Sequence, residues 1–151
     1  IEARGGDIIK MIGDGLLAIF TYQDPMMGPC ENTQACAAVA AVIEAHANLK
    51  ALRPDDLPPG IDELRAGFAL HTGTVMFGNV GSSSRLDFTA IGSAVNEVTR
   101  LESLTKTLGA PILATSPFAK LECSTEMTSL GFHALRGVRE EQEIFTLSEF
   151  A

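Results

Sequence analysis

Residues 7–20 read DIIKMIGDGLLAIF, two short aliphatic runs parted by Gly13-Asp14-Gly15. Neither run is long enough for a helix, and glycine on both sides of an aspartate supplies the tight reversal of a short hairpin loop. The segment is expected to be a β-hairpin, and an apolar hairpin must bury a face against other elements. Residues 32–52 supply one such element. Ala35, Ala38, Val39, Val42, Ile43, His46 and Leu49 recur at the spacing of one helix face, with Asn32 or Thr33 as the cap. Residues 21–31 and 53–62 are rich in proline and glycine and are expected as loops.

A second hairpin is expected from RAGFALHT, a turn at Gly73, and TVMFGNVG. A polar loop at Ser82, Ser83 and Ser84 then leads to a short strand, LDFTAI. The spacing of Val95, Val98, Leu101 and Leu108 predicts a helix over 94–108, with Gly109 as its stop and Pro111 blocking any extension. A strand at 112–114 and a short helix opened by Ser116-Pro117 follow. The tail reads as two strands, LGFHAL and EIFTL, joined by the charged turn RGVREEQ. Hairpins interleaved with helices indicate an α+β sandwich, with helices covering a largely antiparallel sheet.

The 151 residues are 46% hydrophobic, which suits one domain over 1–151. No apolar run approaches the roughly 20 residues that span a bilayer, so no membrane contact is expected from this domain itself. Eleven basic against 19 acidic residues give a net charge of −8. Nucleic acid and anionic lipid both require a basic face, and neither is expected as a partner. Cys30, Cys36 and Cys123 form no CxxC pair, which argues against a disulfide framework or a zinc ribbon. The first residue is Ile1, no secretion signal is visible, and the chain is read as part of a longer cytoplasmic polypeptide.

Several residues carry both a structural and a chemical reading. Lys10 among aliphatic neighbours is either a solvent-face lysine or a placed cation. Asp14 at a glycine-flanked tip is either turn chemistry or an open metal ligand. Gly78 to Gly81, GNVG, followed by three serines and Arg85, is either a hairpin exit or a cradle of amides for phosphate. Asn96 and Arg100 lie one helical turn apart, so Arg100 either pairs with Glu97 or Glu102 or faces a ligand beside Asn96. His46, His71 and His133 have no metal-ligand spacing and are expected as hydrogen-bonded structural histidines. No GxSxG, Walker A or GxGxxG motif is present.

Taken in order, KMIGDGLLAIF, ALHTGTVMFGNVG and RLDFTAIGSAVNEVTRLE closely resemble the class III nucleotide cyclase catalytic domain, over residues 6–147. The resemblance implies a ferredoxin-like βαββαβ-type sandwich. It assigns Lys10 to the purine, Asp14 to metal, and Thr89 to the position that reads the adenine amino group. It assigns Asn96 to the ribose, Arg100 to the transition state, and Arg136 to the terminal phosphates, with Arg85 a further candidate for phosphate. It also implies two Mg²⁺ or Mn²⁺ ions, which would lower the pKa of the ribose 3′-hydroxyl and polarise the α-phosphoryl group. The family's first metal aspartate lies on a strand N-terminal to the lysine hairpin, which these residues do not contain. Family sites form between two subunits, so a head-to-tail homodimer with ATP as substrate is implied. Guanylate-selective members usually carry glutamate and cysteine at the Lys10 and Thr89 positions, which disfavours GTP. A silent nucleotide-sensing or dimerisation module is the other alternative. A diguanylate cyclase would need a GG(D/E)EF turn, which Gly5-Gly6-Asp7-Ile8-Ile9 lacks.

Overall fold

The computed structural model describes residues 1–22, 31–82, 85–123, 125–136, 138 and 140–151. Its element order is β1 (Asp7–Ile12), β2 (Gly15–Ile19), α1 (Glu31–Ala51), β3 (Phe68–Leu70), β4 (Met76–Ser82), β5 (Arg85–Ile91), α2 (Ser93–Leu108), β6 (Ile112–Thr115), α3 (Ser116–Ala119), β7 (Met127–His133) and β8 (Gln142–Leu147). Three-residue 3₁₀ turns lie at Glu2–Arg4, Pro54–Asp56 and Ser148–Phe150. The architecture is α+β, and among the described residues only β3 with β6, of five strand pairings, is parallel.

Four strands form the central sheet, in the order β3-β6-β8-β7. All four residues of β6, Ile112 to Thr115, are buried. A strand covered on both faces reads as a continuous apolar run, as this one does. Its alternate side chains enter two separate cores. Ile112 and Ala114 pack with Ala35, Ala38 and Val39 of α1, with Leu70, Phe118 and Leu147. Leu113 packs with Leu101 of α2, Ala110 and Ile144. The sheet is therefore clamped between α1 and α2. Thr146, buried in β8, donates its hydroxyl to the Ile112 carbonyl at 2.7 Å, so its polar atom is satisfied inside the core.

The first hairpin forms as expected, β1 against β2 with a two-residue turn. Gly13 takes φ +62° there, a value that glycine adopts without steric cost. The second expected hairpin does not form. β3 leaves β4 and pairs in parallel with β6, while β4 pairs along its whole length with β5. Leu70 is buried, and a short apolar strand gains more from a covered neighbour than from an exposed local partner. The GNVG stretch lies within the same pairing, with Gly78 and Gly81 as strand residues opposite Thr89 and Leu86.

Helix α1 begins at Glu31, so Asn32 and Thr33 lie in its first turn and neither is the cap. Helix α2 ends as expected, with Gly109 left-handed at φ +68°. The expected loop at 21–31 falls mostly outside the described residues, as do Cys30, Ser83 and Ser84; in the expected turn RGVREEQ, so do Gly137 and Arg139. Cys36 is a free thiol. Among the described residues no helix is long and apolar enough to cross a membrane.

Leu113→Ala should expose how far the clamp depends on β6. Truncating a fully buried leucine costs about 2–5 kcal/mol, so the denaturant midpoint should fall with an unchanged slope. A loss within the scatter of surface substitutions would show that β6 is not the common wall of both cores.

Candidate active site

Lys10 stands on β1 just after a break in the ladder: Ile8 faces Ala18 and Lys10 faces Leu17, so Ile9 is an extra, bulged residue. A bulge of this kind re-aims the side chains beside it. Ile9 turns inward and is buried, while the Lys10 ammonium donates to the Asp87 carboxylate on β5. Their side chains are 39% and 60% exposed, so the contact is an open one. Thr89 lies two residues beyond Asp87 on β5 and thus on the same face. Across from Thr89 stands Gly78, where an added Cβ would meet nothing within 4 Å. Lysine and carboxylate therefore meet between the two hairpins, with Thr89 two residues further along β5. The sequence reading passed over Asp87, whose partner lies 77 residues away.

Asn96 and Arg100 are carried by α2, which continues directly from β5 through Gly92. An added Cβ at Gly92 would come within 2.9 Å of the Thr74 carbonyl oxygen, so only glycine lets β5 and the β4 approach lie this close. Ala94, Leu101 and Thr105 bury one side of α2. Asn96 is exposed and Arg100 half-buried, one turn apart. Arg100 has no ion-pair partner among the described residues, because Glu97 turns instead towards His71. This overturns the surface-pair reading of Arg100 with Glu97 or Glu102.

Asp14 is exposed at the tip of the first hairpin. Among the described residues no group of three or more His, Cys, Asp or Glu side chains could hold a metal ion. Arg136 is exposed in the connection between β7 and β8. Arg85 opens β5, and its side chain lies outside the described set. Among the described residues no hydrogen bond or ion pair joins Asp14, Asn96, Arg100 or Arg136 to Lys10 or Thr89. Within one chain the structure thus brings Lys10 to β5 and sets Asn96 beside Arg100, as two separate groups.

No protein-family model matches the chain. Adenylate cyclase 1 of Rhizobium meliloti (strain 1021) is 35% identical over 114 residues, 76% of this chain and 16% of that protein. The adenylate cyclase of Anabaena cylindrica is 35% identical over 127 residues, 82% of this chain and 24% of its own length. The crystal structure of the adenylyl cyclase CyaB from P. aeruginosa superposes with a TM-score of 0.77 at 28% identity, covering 97% of this chain and 73% of that one. This chain belongs to the class III nucleotide cyclases. It spans less than a quarter of the length of either curated relative.

In this cyclase domain the histidines hold structure, with one exception to expectation. His71 Nδ1 meets the Thr115 hydroxyl at 2.8 Å, and its Nε2 lies 3.8 Å from Glu97. His133 Nε2 meets the Leu130 carbonyl at 3.0 Å. His46 differs: its buried Nε2 has no hydrogen-bond partner, and the ring stands edge-on to Phe68 and Phe150 at centroid distances of 6.3 and 5.0 Å. Aromatic edge contacts replace the expected hydrogen bond.

His71 also helps seat α2. A Cβ at Gly73 would lie 2.8 Å from the Ala94 Cβ and 3.1 Å from His71 Nε2, so the turn after β3 packs on the first turn of the helix. Burial pushes the His71 imidazole below its ordinary value of 6.5, with Glu97 pulling the other way. The folded state therefore prefers neutral His71. That contribution is complete above the unfolded value and is lost as pH falls through the lowered folded value. Unfolding free energies measured from about pH 7 down to about pH 5 should fall less steeply for His71→Gln than for the unaltered protein. Identical slopes would remove His71 as the titrating group.

Proposed function

We propose that the protein is an adenylate cyclase, converting ATP to 3′,5′-cyclic AMP and pyrophosphate. The observation that carries this reading is the Lys10 ammonium held against β5 two residues from Thr89. An ammonium can donate to adenine N1, and a threonine oxygen can accept from the adenine amino group. Guanine offers N–H at N1, which a lysine donor opposes, so GTP is the disfavoured substrate.

In the proposed reaction Asn96 orients the ribose. The 3′-oxygen attacks the α-phosphorus as its proton passes to solvent. The bond from that phosphorus to the bridging oxygen breaks, and pyrophosphate departs with the electron pair. Arg100, unpaired among the described residues, is available to meet negative charge that grows at the phosphorus. A preorganised donor in that role contributes a factor of roughly 100 to 1,000 in rate. Arg136 and Arg85 are assigned to the departing phosphates. These few cations act locally in a chain whose net charge is −8. The reaction is proposed to take place in the cytoplasm.

Two Mg²⁺ or Mn²⁺ ions are the cofactor proposed from family membership. Asp14 offers one open carboxylate, and one carboxylate does not hold two ions. The described residues alone do not fit a two-metal centre. No step above is routed through metal.

The site is proposed to form between two copies related head to tail, with Asp14 from one and Lys10, Thr89, Asn96 and Arg100 from the other. Large apolar side chains left exposed on both hairpins support a partner there. Met11 on the first and Met76 and Phe77 on the second are 64%, 74% and 52% exposed. Monomers rarely leave so much apolar surface open without a partner.

Complementation of full-length chains tests the shared site. Asp14→Ala and Arg100→Ala should each lose activity on the order of 100-fold. Co-expressed, they should recover cyclic AMP synthesis through one intact site per heterodimer. Verified heterodimers that stay inactive would contradict the arrangement.

A further inference from the structure

Among the described residues Arg100 has no ion-pair partner, although Glu97 lies three positions before it on α2. A carboxylate ahead of a guanidinium at this spacing is well placed to pair with it along the helix. What draws Glu97 away is His71, which directly follows β3. Its side chain is 8% exposed, and its Nε2 lies 3.8 Å from the Glu97 carboxylate. Across the ring, Nδ1 meets the buried Thr115 hydroxyl of β6 at 2.8 Å. The next residue is fastened as well: the Thr72 hydroxyl donates to Glu31, at the start of α1, at 2.9 Å. His71 is thus held from β6 and α1 while it faces α2. Burial favours its neutral form, which carries one ring proton. With the Thr115 hydroxyl donating to Nδ1, that proton stands on Nε2, towards Glu97. The contact at 3.8 Å is too long for a hydrogen bond, so it is the attraction of a ring dipole for a charge. It has only to outweigh a solvent-screened pair along the helix, and such pairs are weak.

We propose that His71 is a positioning residue that keeps Arg100 free for the substrate by holding Glu97 away from it. A guanidinium paired with a carboxylate has part of its charge neutralised and its donors engaged. It would have to leave that partner before meeting the α-phosphoryl group, whereas an unpaired guanidinium is ready beforehand. The inference rests on the reading of Arg100 as the group that meets charge growing at the phosphorus. That charge appears only in the transition state, so loss of His71 should act on the chemical step and leave nucleotide binding nearly intact. His71 and Glu97 touch no reacting atom; both act through Arg100.

The test measures kcat and KM for ATP in full-length protein carrying substitutions at His71 and Glu97, singly and together. Asparagine sets its amide near the place of Nδ1 and nothing at the place of Nε2. His71→Asn therefore keeps a polar group for Thr115 and loses the one that faces Glu97. It should lower kcat by about three- to tenfold, with KM held within about twofold. Glutamine reaches the place of Nε2, so His71→Gln should retain most of kcat. Glu97→Gln alone should leave kcat within about twofold, because a neutral amide does not capture Arg100. Added to His71→Asn, it should restore kcat to within about twofold of the unaltered protein. Thr115→Val removes the hydroxyl that fixes the imidazole tautomer; it should show a smaller loss, restored in the same way, so the test does not depend on one variant folding. A loss that Glu97→Gln fails to restore would overturn the proposal and leave His71 as a packing residue. So would an unchanged kcat for His71→Asn where Arg100→Ala lowers it about 100-fold, which leaves the Arg100 reading standing. If Arg100→Ala leaves kcat intact, that reading itself fails and takes this inference with it.

Discussion

The fold depends on burying β6 from both sides at once. Its residues Ile112 to Thr115 supply the wall between the α1 core and the α2 core, and they hold β3 on one edge and β8 on the other. Because alternate side chains serve different cores, a shift of one residue would reverse every contact. The position of α2 follows from this arrangement, since Leu101 docks against Leu113 and Ile144. Asn96 and Arg100 are carried by the same helix and inherit its placement. A buried strand therefore decides where the polar side chains of α2 stand.

Among the described residues β4 and β5 pair only with each other, and β1 and β2 likewise, so neither hairpin belongs to the central sheet. The contact between them is polar and open, through Lys10 and Asp87. Glycine allows close approach at two turns that frame α2: Gly92 beside the Thr74 carbonyl and Gly73 beside the Ala94 side chain. An acidic chain that binds a polyphosphate must concentrate its cations, and Lys10, Arg100 and Arg136 are the residues proposed for that work.

Local chemistry was legible in the sequence, and long-range pairing was not. The hairpin around Gly13 and Asp14, the α2 helix, its Gly109 stop and the strand at 112–114 all announce themselves within a few residues. The parallel partnership of β3 with β6 joins segments more than 40 residues apart, and the pattern around Gly73 mimicked a hairpin because both flanking runs are apolar. The roles proposed for Lys10, Asn96 and Arg100 rest on an ordered resemblance, which local spacing alone does not supply. The ion pair of Asp87 with Lys10 leaves no trace in local spacing because the partners lie 77 residues apart. The edge contacts of His46 with Phe68 and Phe150 leave no trace in spacing either.

The central claim is that these residues form the catalytic domain of an adenylate cyclase. Its most direct test is to incubate the full-length protein with ATP or GTP, with Mg²⁺ or Mn²⁺, and to separate the nucleotide products. The account predicts 3′,5′-cyclic AMP and pyrophosphate in equal amounts, with ATP converted faster than GTP. Absence of any cyclic nucleotide under every combination would contradict it.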